Sequence, residues 1–416
     1  MTNDYWDNSI ELDKLAELSI KTGVALQPGQ DLIITSSLEA APLVRRLAYH
    51  AYKQGGGIVT PLYTDPEVTL LRYENAQKSS FDKATDWLYD GIGVAFDNNT
   101  ARLAIVGEDP LLLSGQDSED IGRANKAVSK ASSPMRERIT RFDVNWNIIA
   151  WPGAQWAKRV FPNMTAEVAQ KELANAIFKA SRVDGHDPVG AWKAHNVNLQ
   201  KRTDWLNGKD FAALHFYGEG TDLTVGLANG HEWMGGASVA RNRVTCNPNI
   251  PSEEVFTTPH SLKVNGYVRS TKPLSHQGTL IKDISVTFKD GSITEASASK
   301  GQEVFLKMID TDEGARRLGE VALVPHSSPI SQSNLLFYNT LFDENAACHI
   351  ALGQCYSKCF KNGDALSKDE VVQRGGNSSM IHVDWMIGSQ SINIDGLDKK
   401  GSTTPVFRSG EWARNF

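Results

Sequence analysis

The order strand–helix–strand near the start of the chain constrains the fold more than any other feature. Residues 31–35 and 58–63 are short apolar runs, and residues 39–53 between them place apolar side chains at helical spacing. Three consecutive glycines at 55–57 end that helix. Two strands joined by a helix run parallel and are connected by a right-handed crossover. The chain is therefore expected to begin with a parallel sheet.

Two further apolar runs extend this sheet. They lie at residues 102–106 and 147–151 and read as additional strands. The N-terminal region is thus predicted to be an α/β domain with a Rossmann-like parallel sheet. No GxGxxG pattern follows the first strand, and no Walker A pattern occurs in the chain. The expected sheet therefore gives no sign of a nucleotide site.

Helical patterns account for most of the remaining N-terminal region. Helices are expected within residues 120–140, at 166–181 and from 188 to about 205. The first of these contains Pro134 and is expected to break near it. Residues 207–210 (Asn-Gly-Lys-Asp) form a turn-rich boundary after the last helix.

The sequence pattern changes after this boundary. Short strand candidates follow at 211–216 and 222–227, Asn-Gly and Asp-Gly turns recur, and 278–288 reads as one strand. We therefore predict two domains, an α/β domain over residues 1–209 and a strand-rich α+β domain over residues 210–416.

Length and charge exclude several classes of protein. A chain of 416 residues is long enough for two or three domains. The net charge of -6 and the lack of a long basic run argue against nucleic acid as the main partner. No segment approaches the ~20 apolar residues of a membrane span. The start, residues 1–7, is polar and acidic and lacks the pattern of a secretory signal, so a cytoplasmic location is expected.

A pair of polar residues interrupts the apolar stretch at 380–388. His382 and Asp384 are two residues apart, so in a strand their side chains lie on the same face. A buried carboxylate costs several kcal/mol unless it is paired or bound to a cation. A structural His–Asp hydrogen bond and a metal site both satisfy that requirement.

Other candidate ligands occur earlier in the same domain. The adjacent Glu253 and Glu254 stand between Pro251 and an apolar run, Glu320 begins an apolar run, and His349 lies among small apolar residues. Taken singly, these residues also fit a surface pair, an edge-strand glutamate and a core histidine. Together with His382 and Asp384, they give a mixed oxygen and nitrogen set that suits Zn, Mn or Co. Five ligands exceed the three of one catalytic zinc and suit two ions that share a carboxylate.

A thiolate zinc site is the competing metal reading. Cys348, His349, Cys355 and Cys359 are close in sequence, but their spacing does not match paired CxxC motifs. We therefore favour the oxygen and nitrogen set.

Several segments resemble the aminopeptidase T / aminopeptidase S (PepS) family of two-metal metallo-aminopeptidases. The similarity spans nearly the whole chain, and the four C-terminal motifs occur in the family's order. The segments are Val24–Gln30, Glu39–Ala41, Asn249–Thr257, Arg317–Ala322, His349–Gly353 with Tyr356, and Ile381–Asp384.

The resemblance implies a metal-dependent aminopeptidase that removes N-terminal residues from peptides through a metal-activated water. It implies two divalent ions per chain, with Zn, Co, Mn and Mg as the candidates, and a homodimer with a C-terminal catalytic domain. The implied ligands are Glu254, Glu320, His349, His382 and Asp384.

Two further residues receive catalytic roles. We predict Glu253, beside ligand Glu254, as the general base, although a supporting or surface position is an alternative. Tyr356 matches the family's active-site tyrosine and is predicted to donate to the oxyanion, although it could instead be a core residue that orients a ligand. Because it lies seven residues after His349, the two would share a face if the segment were helical.

Two other functions remain compatible with the residues themselves. One is a two-metal hydrolase acting on another amide or ester, including a phosphoester. The other is a metal-stabilised binding protein that uses the N-terminal domain for its ligand.

Overall fold

The computed structural model describes residues 6, 9–276 and 278–416. Of the acidic N-terminal segment discussed above, only Trp6 lies within the described residues. The α-helices cover Ile10–Leu18, Ala41–Lys53, Pro66–Asn75, Asp86–Asp97, Ser118–Thr140, Ala154–Val160, Ala166–Ala180, Pro188–Lys209, Gln302–Ile309, Pro329–Ser333, Thr340–Asp343 and Lys368–Gln373. Short 3₁₀ helices cover Leu38–Ala40, Lys78–Asp82, Glu313–Arg316, Glu344–Ala346, Ser357–Cys359 and Gly363–Ala365, and a π-helical turn covers Ser19–Gly23.

The strands are, in chain order, β1 (Leu32–Ser37), β2 (Val59–Thr64), β3 (Ala101–Val106), β4 (Trp146–Ala150), β5 (Ala213–Gly218), β6 (Thr221–Leu227), β7 (Ser238–Val239), β8 (Thr245–Cys246), β9 (Val255–Thr257), β10 (Pro259–Arg269), β11 (Leu274–His276), β12 (Thr279–Ile281), β13 (Ser285–Lys289), β14 (Ser292–Ser297), β15 (Leu318–Leu323), β16 (His349–Gly353), β17 (His382–Met386), β18 (Asn393–Leu397), β19 (Thr403–Arg408) and β20 (Glu411–Trp412). No helix among the described residues is long and apolar enough to cross a membrane.

The chain divides into two compact units. The first contains the described residues up to Lys193 together with Ala237–Pro251, and the second contains Ala194–Gly236 and Ser252–Phe416. This division differs from the single boundary expected at 209/210. Segment 237–251 belongs to the first unit because it returns to β4, where the Ile148 N–H donates to the Pro248 carbonyl at 2.7 Å.

The first unit contains the expected parallel sheet. Its strand order is β2-β1-β3-β4, and all three neighbouring pairs are parallel. Of the two inner strands, β1 is almost wholly buried, which is typical of parallel sheets because helices usually cover both of their faces. The predicted α/β, Rossmann-like class of this region is confirmed.

The break expected at Pro134 is wrong. The helix Ser118–Thr140 continues through the proline. Proline removes only one backbone hydrogen bond, and the carbonyl that loses it belongs to the exposed Lys130, where water can replace the bond.

The second unit consists mainly of antiparallel sheet, as the sequence predicted. One sheet has eight strands in the order β14-β13-β10-β6-β5-β18-β19-β20, and a second has four in the order β17-β16-β15-β9. The single strand expected at 278–288 is two strands, β12 and β13, because the chain turns at Asp283, whose φ is 50°.

The four-stranded sheet has one apolar face. Val321 of β15, Ile350 of β16 and Trp385 of β17 share a buried cluster with Leu214 and Val225 of the eight-stranded sheet. Because side chains alternate along a strand, the residues next to each of these apolar residues in its own strand lie on the opposite face. That opposite face of the four-stranded sheet carries the polar residues described next.

Candidate metal centre

Strand register places four of the predicted ligands on one face of the four-stranded sheet. Ala351 of β16 pairs with Glu320 on one side and with Asp384 on the other. Directly paired residues share a face, so these three side chains point the same way. His349 lies two residues before Ala351, and His382 lies two before Asp384, so both histidines join that face.

The central strand leaves open space between its neighbours. Beyond His349, its residues on this face are Ala351 and Gly353, which are small. Gly353 has a φ of 106°, and a Cβ there would lie 2.1 Å from the Ile381 carbonyl oxygen, so only glycine fits. The side chains of Glu320, His382 and Asp384 can therefore meet above the middle of the sheet.

A β-bulge sets the direction of Glu320. Leu318 pairs with Leu352 and Glu320 pairs with the adjacent residue Ala351. Gly319, between them in β15, is therefore an extra residue without a counterpart in β16. The bulge lets Leu318 enter the apolar core while Glu320, two residues later, lies on the polar face. A strictly alternating strand would place both on one face.

Glu254 reaches the same face from the position just before β9. Phe256 pairs with Ala322, which shares a face with Glu320, and Glu254 lies two residues before Phe256. The Glu254 Oε2 atom is 3.1 Å from Nε2 of His349. The fifth predicted ligand therefore joins the other four.

The five side chains form two overlapping groups. Glu254, Glu320 and His349 offer ligand atoms within 4.8 Å of one another, and so do Glu320, His382 and Asp384. In the second group, His382 Nε2 lies 3.7 Å from Glu320 and 3.6 Å from Asp384. Glu320 belongs to both groups, which is the arrangement of a carboxylate between two ion positions.

Both histidines present Nε2 to the carboxylates. Their Nδ1 atoms contact backbone carbonyls, that of Ala347 at 3.1 Å for His349 and that of Gln354 at 2.7 Å for His382. A carbonyl oxygen can only accept a hydrogen bond, so each Nδ1 carries a hydrogen. In the neutral ring, Nε2 therefore carries a free lone pair. Backbone carbonyls orient metal-binding imidazoles in this way.

Several buried polar atoms of this cluster lack a hydrogen bond. They are Oε2 of Glu254, Nε2 of His349 and Oδ1 of Asp384. The 3.1 Å contact between Glu254 and His349 is close in distance but is not aligned as a hydrogen bond. Unsatisfied buried polar groups are costly, and a bound cation would satisfy all three atoms. The residues therefore fit divalent ions.

The protonation of the metal-free cluster follows the same logic. Burial, with the nearby charges of Asp384 and Glu254, raises the pKa of Glu320 to about 7. Burial alone would lower the pKa of His349, but the carboxylates of Glu254 and Glu320 outweigh it and hold that pKa well above its usual value. Without a cation, the cluster therefore holds protons instead.

Glu253 lies beside the cluster but outside both groups. Its side chain is buried, and its Oε2 is 3.9 Å from Nε2 of His195. Its backbone N–H donates to Oδ1 of Asn345 at 2.6 Å. The structure therefore keeps Glu253 close to Glu254 without making it one of the converging atoms.

Tyr356 reaches the cluster by a different route from the one expected. The shared helical face predicted with His349 is wrong, because His349 begins a strand and Tyr356 precedes a short 3₁₀ helix. The Tyr356 ring instead lies 4.8 Å from the His382 ring, measured between centroids. Although 41% of the residue is exposed, desolvation and the charges of Glu320 and Asp384 raise the pKa of its hydroxyl well above the usual value, so it stays a proton donor.

Sequence reasoning missed Glu344 and Asn345. Glu344 lies beside the cluster, and burial and the negative charges of Glu254 and Asp384 raise the pKa of Glu344 well above its usual value. Glu344 and Asp384 also line the same small cavity. The available signal was the polar run 343–345 (Asp-Glu-Asn) shortly before the His349 strand.

Comparison with known proteins gives full-length matches. Residues 8–412 match the thermophilic metalloprotease (M29) family. Aminopeptidase T of Thermus thermophilus is 48% identical over 404 residues, which cover 96% of this chain and 98% of that protein. Aminopeptidase 2 of Geobacillus stearothermophilus is 46% identical over 403 residues, covering 97% and 98%. The solved structure of wild-type AmpT from Thermus thermophilus matches with a TM-score of 0.92 at 47% identity, covering 97% of this chain and 99% of that one.

Proposed function

We propose that this chain, which belongs to the thermophilic metalloprotease (M29) family, is a metal-dependent aminopeptidase with two divalent ions. One observation carries the two-ion part of the proposal. Glu320 is common to two groups of ligand atoms, and buried atoms in both groups lack any hydrogen bond.

Each ion would have three protein ligands. Glu254, Glu320 and His349 would hold one ion, and Glu320, His382 and Asp384 would hold the other. Three protein ligands leave positions open for water and substrate, as catalytic sites require. Mixed carboxylate and imidazole ligands suit Zn, Co and Mn, and Mg remains a candidate at lower affinity.

Charge balance supports two ions rather than one. Glu254, Glu320, Asp384, Glu344 and the buried Glu253 provide five carboxylates at or beside the centre, and the two histidines are oriented as neutral ligands. Two divalent cations would offset four of these negative charges, whereas one cation would offset only two. With a single ion, the cluster would have to retain protons on some of them, as the raised pKa values of Glu320 and Glu344 indicate for the metal-free state.

The protein's own groups would divide the work of peptide hydrolysis. When bound, the ions supply an activated water and polarise the scissile carbonyl. Glu253 takes the proton of the water and delivers it to the leaving amine. The Tyr356 hydroxyl, kept protonated by its raised pKa, donates to the oxygen that becomes negative in the transition state. Beside these residues, a bound ion would offer a position for the free N-terminal amine of the substrate, which would restrict the enzyme to exopeptidase action.

The test is hydrolysis of a panel of aminoacyl-p-nitroanilides before and after chelation and after return of Zn, Co, Mn or Mg. We expect chelation to abolish turnover and at least one metal to restore it, with two ions per chain by elemental analysis. An N-acetylated peptide of the same sequence should resist cleavage. Rapid cleavage of that peptide, or turnover of a simple ester alone, would favour a two-metal hydrolase of another amide or ester.

Two broader features are part of the same proposal. We propose a homodimer located in the cytoplasm, on the basis of the family resemblance and the match to bacterial aminopeptidases. Light scattering of the purified protein measures the mass of the assembly, and fractionation of cells measures the compartment. A monomer at micromolar concentration would contradict the first statement.

A further inference from the structure

The peptide group that joins Ser252 to Glu253 is held by two side chains from distant parts of the chain. His195 binds its carbonyl oxygen, and Asn345 binds its N–H. We propose that His195 and Asn345 are positioning residues that set the direction of the Glu253 carboxylate. This inference rests on the proposed function, in which Glu253 moves the proton.

The two contacts are short and act on opposite ends of one peptide group. Nε2 of His195 lies 2.7 Å from the Ser252 oxygen and donates to it, because a carbonyl only accepts. Oδ1 of Asn345 lies 2.6 Å from the Glu253 nitrogen and accepts from it. The plane of that peptide is therefore fixed on both sides, immediately before the Cα atom that carries the catalytic side chain.

Asn345 is itself fully fixed. Its side chain has no exposed surface, and its Nδ2 donates to the Leu341 carbonyl at 3.0 Å. The same Nδ2 lies 3.4 Å from Oε1 of Glu344, and the Asn345 carbonyl accepts from Ser328 at 2.9 Å. One amide side chain thus contacts both the backbone of Glu253 and the Glu344 carboxylate.

Strand pairing does not hold the peptide group between Ser252 and Glu253 in place. Glu253 precedes β9, which begins at Val255, so no ladder hydrogen bond holds the 252–253 peptide. The neighbouring Glu254 has to reach the ion positions while Glu253 stays beside them without becoming a ligand, and a rotation of this peptide would move both. Catalytic groups need to be placed to well within about 1 Å, because a displacement of about 1 Å lowers the rate by up to about 10²-fold.

The first test is a double-mutant cycle with Glu253. Asn345→Leu removes the amide at nearly constant volume and is expected to lower kcat by about 10- to 100-fold, with KM changed less than about twofold and two ions retained per chain. In the Glu253→Gln background, the same substitution should lower kcat by less than about twofold, because the group it positions is gone. An equal loss in both backgrounds would overturn the inference.

A second pair of variants guards against misfolding of the Asn345 variant. His195→Phe removes the donor to the Ser252 carbonyl, while His195→Gln keeps an N–H that can reach it. We expect the phenylalanine variant to lose kcat as above and the glutamine variant to recover most of the loss. Equal activity of the two variants would contradict the positioning role of His195.

Asn145 supplies a matched control in the first unit. It is also fully buried, and its Nδ2 donates to the Val24 carbonyl at 2.6 Å. Asn145→Leu should lower the melting temperature while leaving kcat of the folded enzyme unchanged. An inactive wild-type protein with two bound ions would overturn the proposed function and the inference with it. An active wild type whose kcat is insensitive to Asn345 and His195 would overturn the inference alone.

Discussion

Replacing Glu320 with glutamine is expected to stabilise the metal-free protein above neutral pH and to abolish its binding of both ions. Glu320 is the carboxylate shared by the two groups of ligand atoms, so its loss affects both ion positions. In the metal-free protein the same carboxylate is buried beside Asp384 and Glu254, and the neighbouring histidines offset its charge only in part. One substitution therefore acts in opposite directions with and without metal.

The magnitude follows from the pKa of Glu320. In the folded metal-free protein this pKa is about 7, against the ordinary value of 4.5 that the unfolded chain retains. Between these values the folded state binds more protons than the unfolded state, so stability falls as pH rises through this window. The difference amounts to about 3 kcal/mol at pH values above the folded pKa. Glutamine does not ionise, so the variant avoids this loss.

The assay is urea unfolding of chelator-treated wild type and Glu320→Gln at about pH 5 and about pH 8. We expect similar free energies of unfolding at the lower pH and a variant more stable by roughly 3 kcal/mol at the higher pH. Added metal should raise the stability of the wild type alone, because only a folded state that binds the ions gains from them. Glu303→Gln, at an exposed position, is the control and should change neither curve.

One result would refute the reasoning. If metal-free Glu320→Gln were less stable than wild type by the same amount at both pH values, the Glu320 carboxylate would have adequate partners without ions. The unsatisfied atoms of the cluster would then not indicate a cation site.

Three further predictions concern single residues, and a fourth concerns the cysteines. Glu253→Gln should keep two ions per chain and lower kcat, and loss of ions on elemental analysis would make Glu253 a ligand instead. Tyr356→Phe should lower kcat by roughly 10²- to 10³-fold in a steady-state assay, the usual cost of one oxyanion donor, and an unchanged kcat would remove Tyr356 from the mechanism. Gly353→Ala should lower the free energy of unfolding in urea by more than about 2 kcal/mol and reduce ion binding, because the new Cβ meets a backbone oxygen at 2.1 Å. If the variant were as stable as the wild type, the segment at β17 would be able to move away. All four cysteines are buried, and burial raises the pKa of Cys348 to about 12 and that of Cys355 to about 11. The thiols should therefore resist a thiol reagent at neutral pH until urea exposes them. Fast labelling of the native protein would contradict their burial.

The sequence was sufficient for the features that depend on local pattern. The run at 31–35 and the helical spacing after it predicted the parallel sheet, because a strand–helix–strand unit has one common topology. The spacing of His382 and Asp384 predicted a shared face, because strand side chains alternate. The other three candidate ligands were chosen largely by resemblance, since nothing in their separate segments indicates that they meet.

The features that the sequence did not reveal depend on contacts between distant segments. Pro134 lies inside a helix, because the carbonyl that loses its hydrogen bond belongs to the exposed Lys130, where water can replace the bond, and local propensity does not include that. Tyr356 approaches His382 from a loop, so its separation from His349 in sequence carried no information. Glu344 and Asn345 precede the His349 strand in the polar run 343–345, and that run alone does not predict that Asn345 contacts Glu253.

The bulge at Gly319 also affects how β15 can change in length during evolution. In a regular strand, loss of one residue moves every side chain beyond it to the opposite face, so the Glu320 side chain would point toward the apolar core. At the bulge, Leu318 and Glu320 already pair with the adjacent residues Leu352 and Ala351, so the strand carries one residue more than its partner. Gly319 is therefore a position in β15 where a deletion preserves the faces of all other side chains, and variation in strand length is most compatible with the centre at this point.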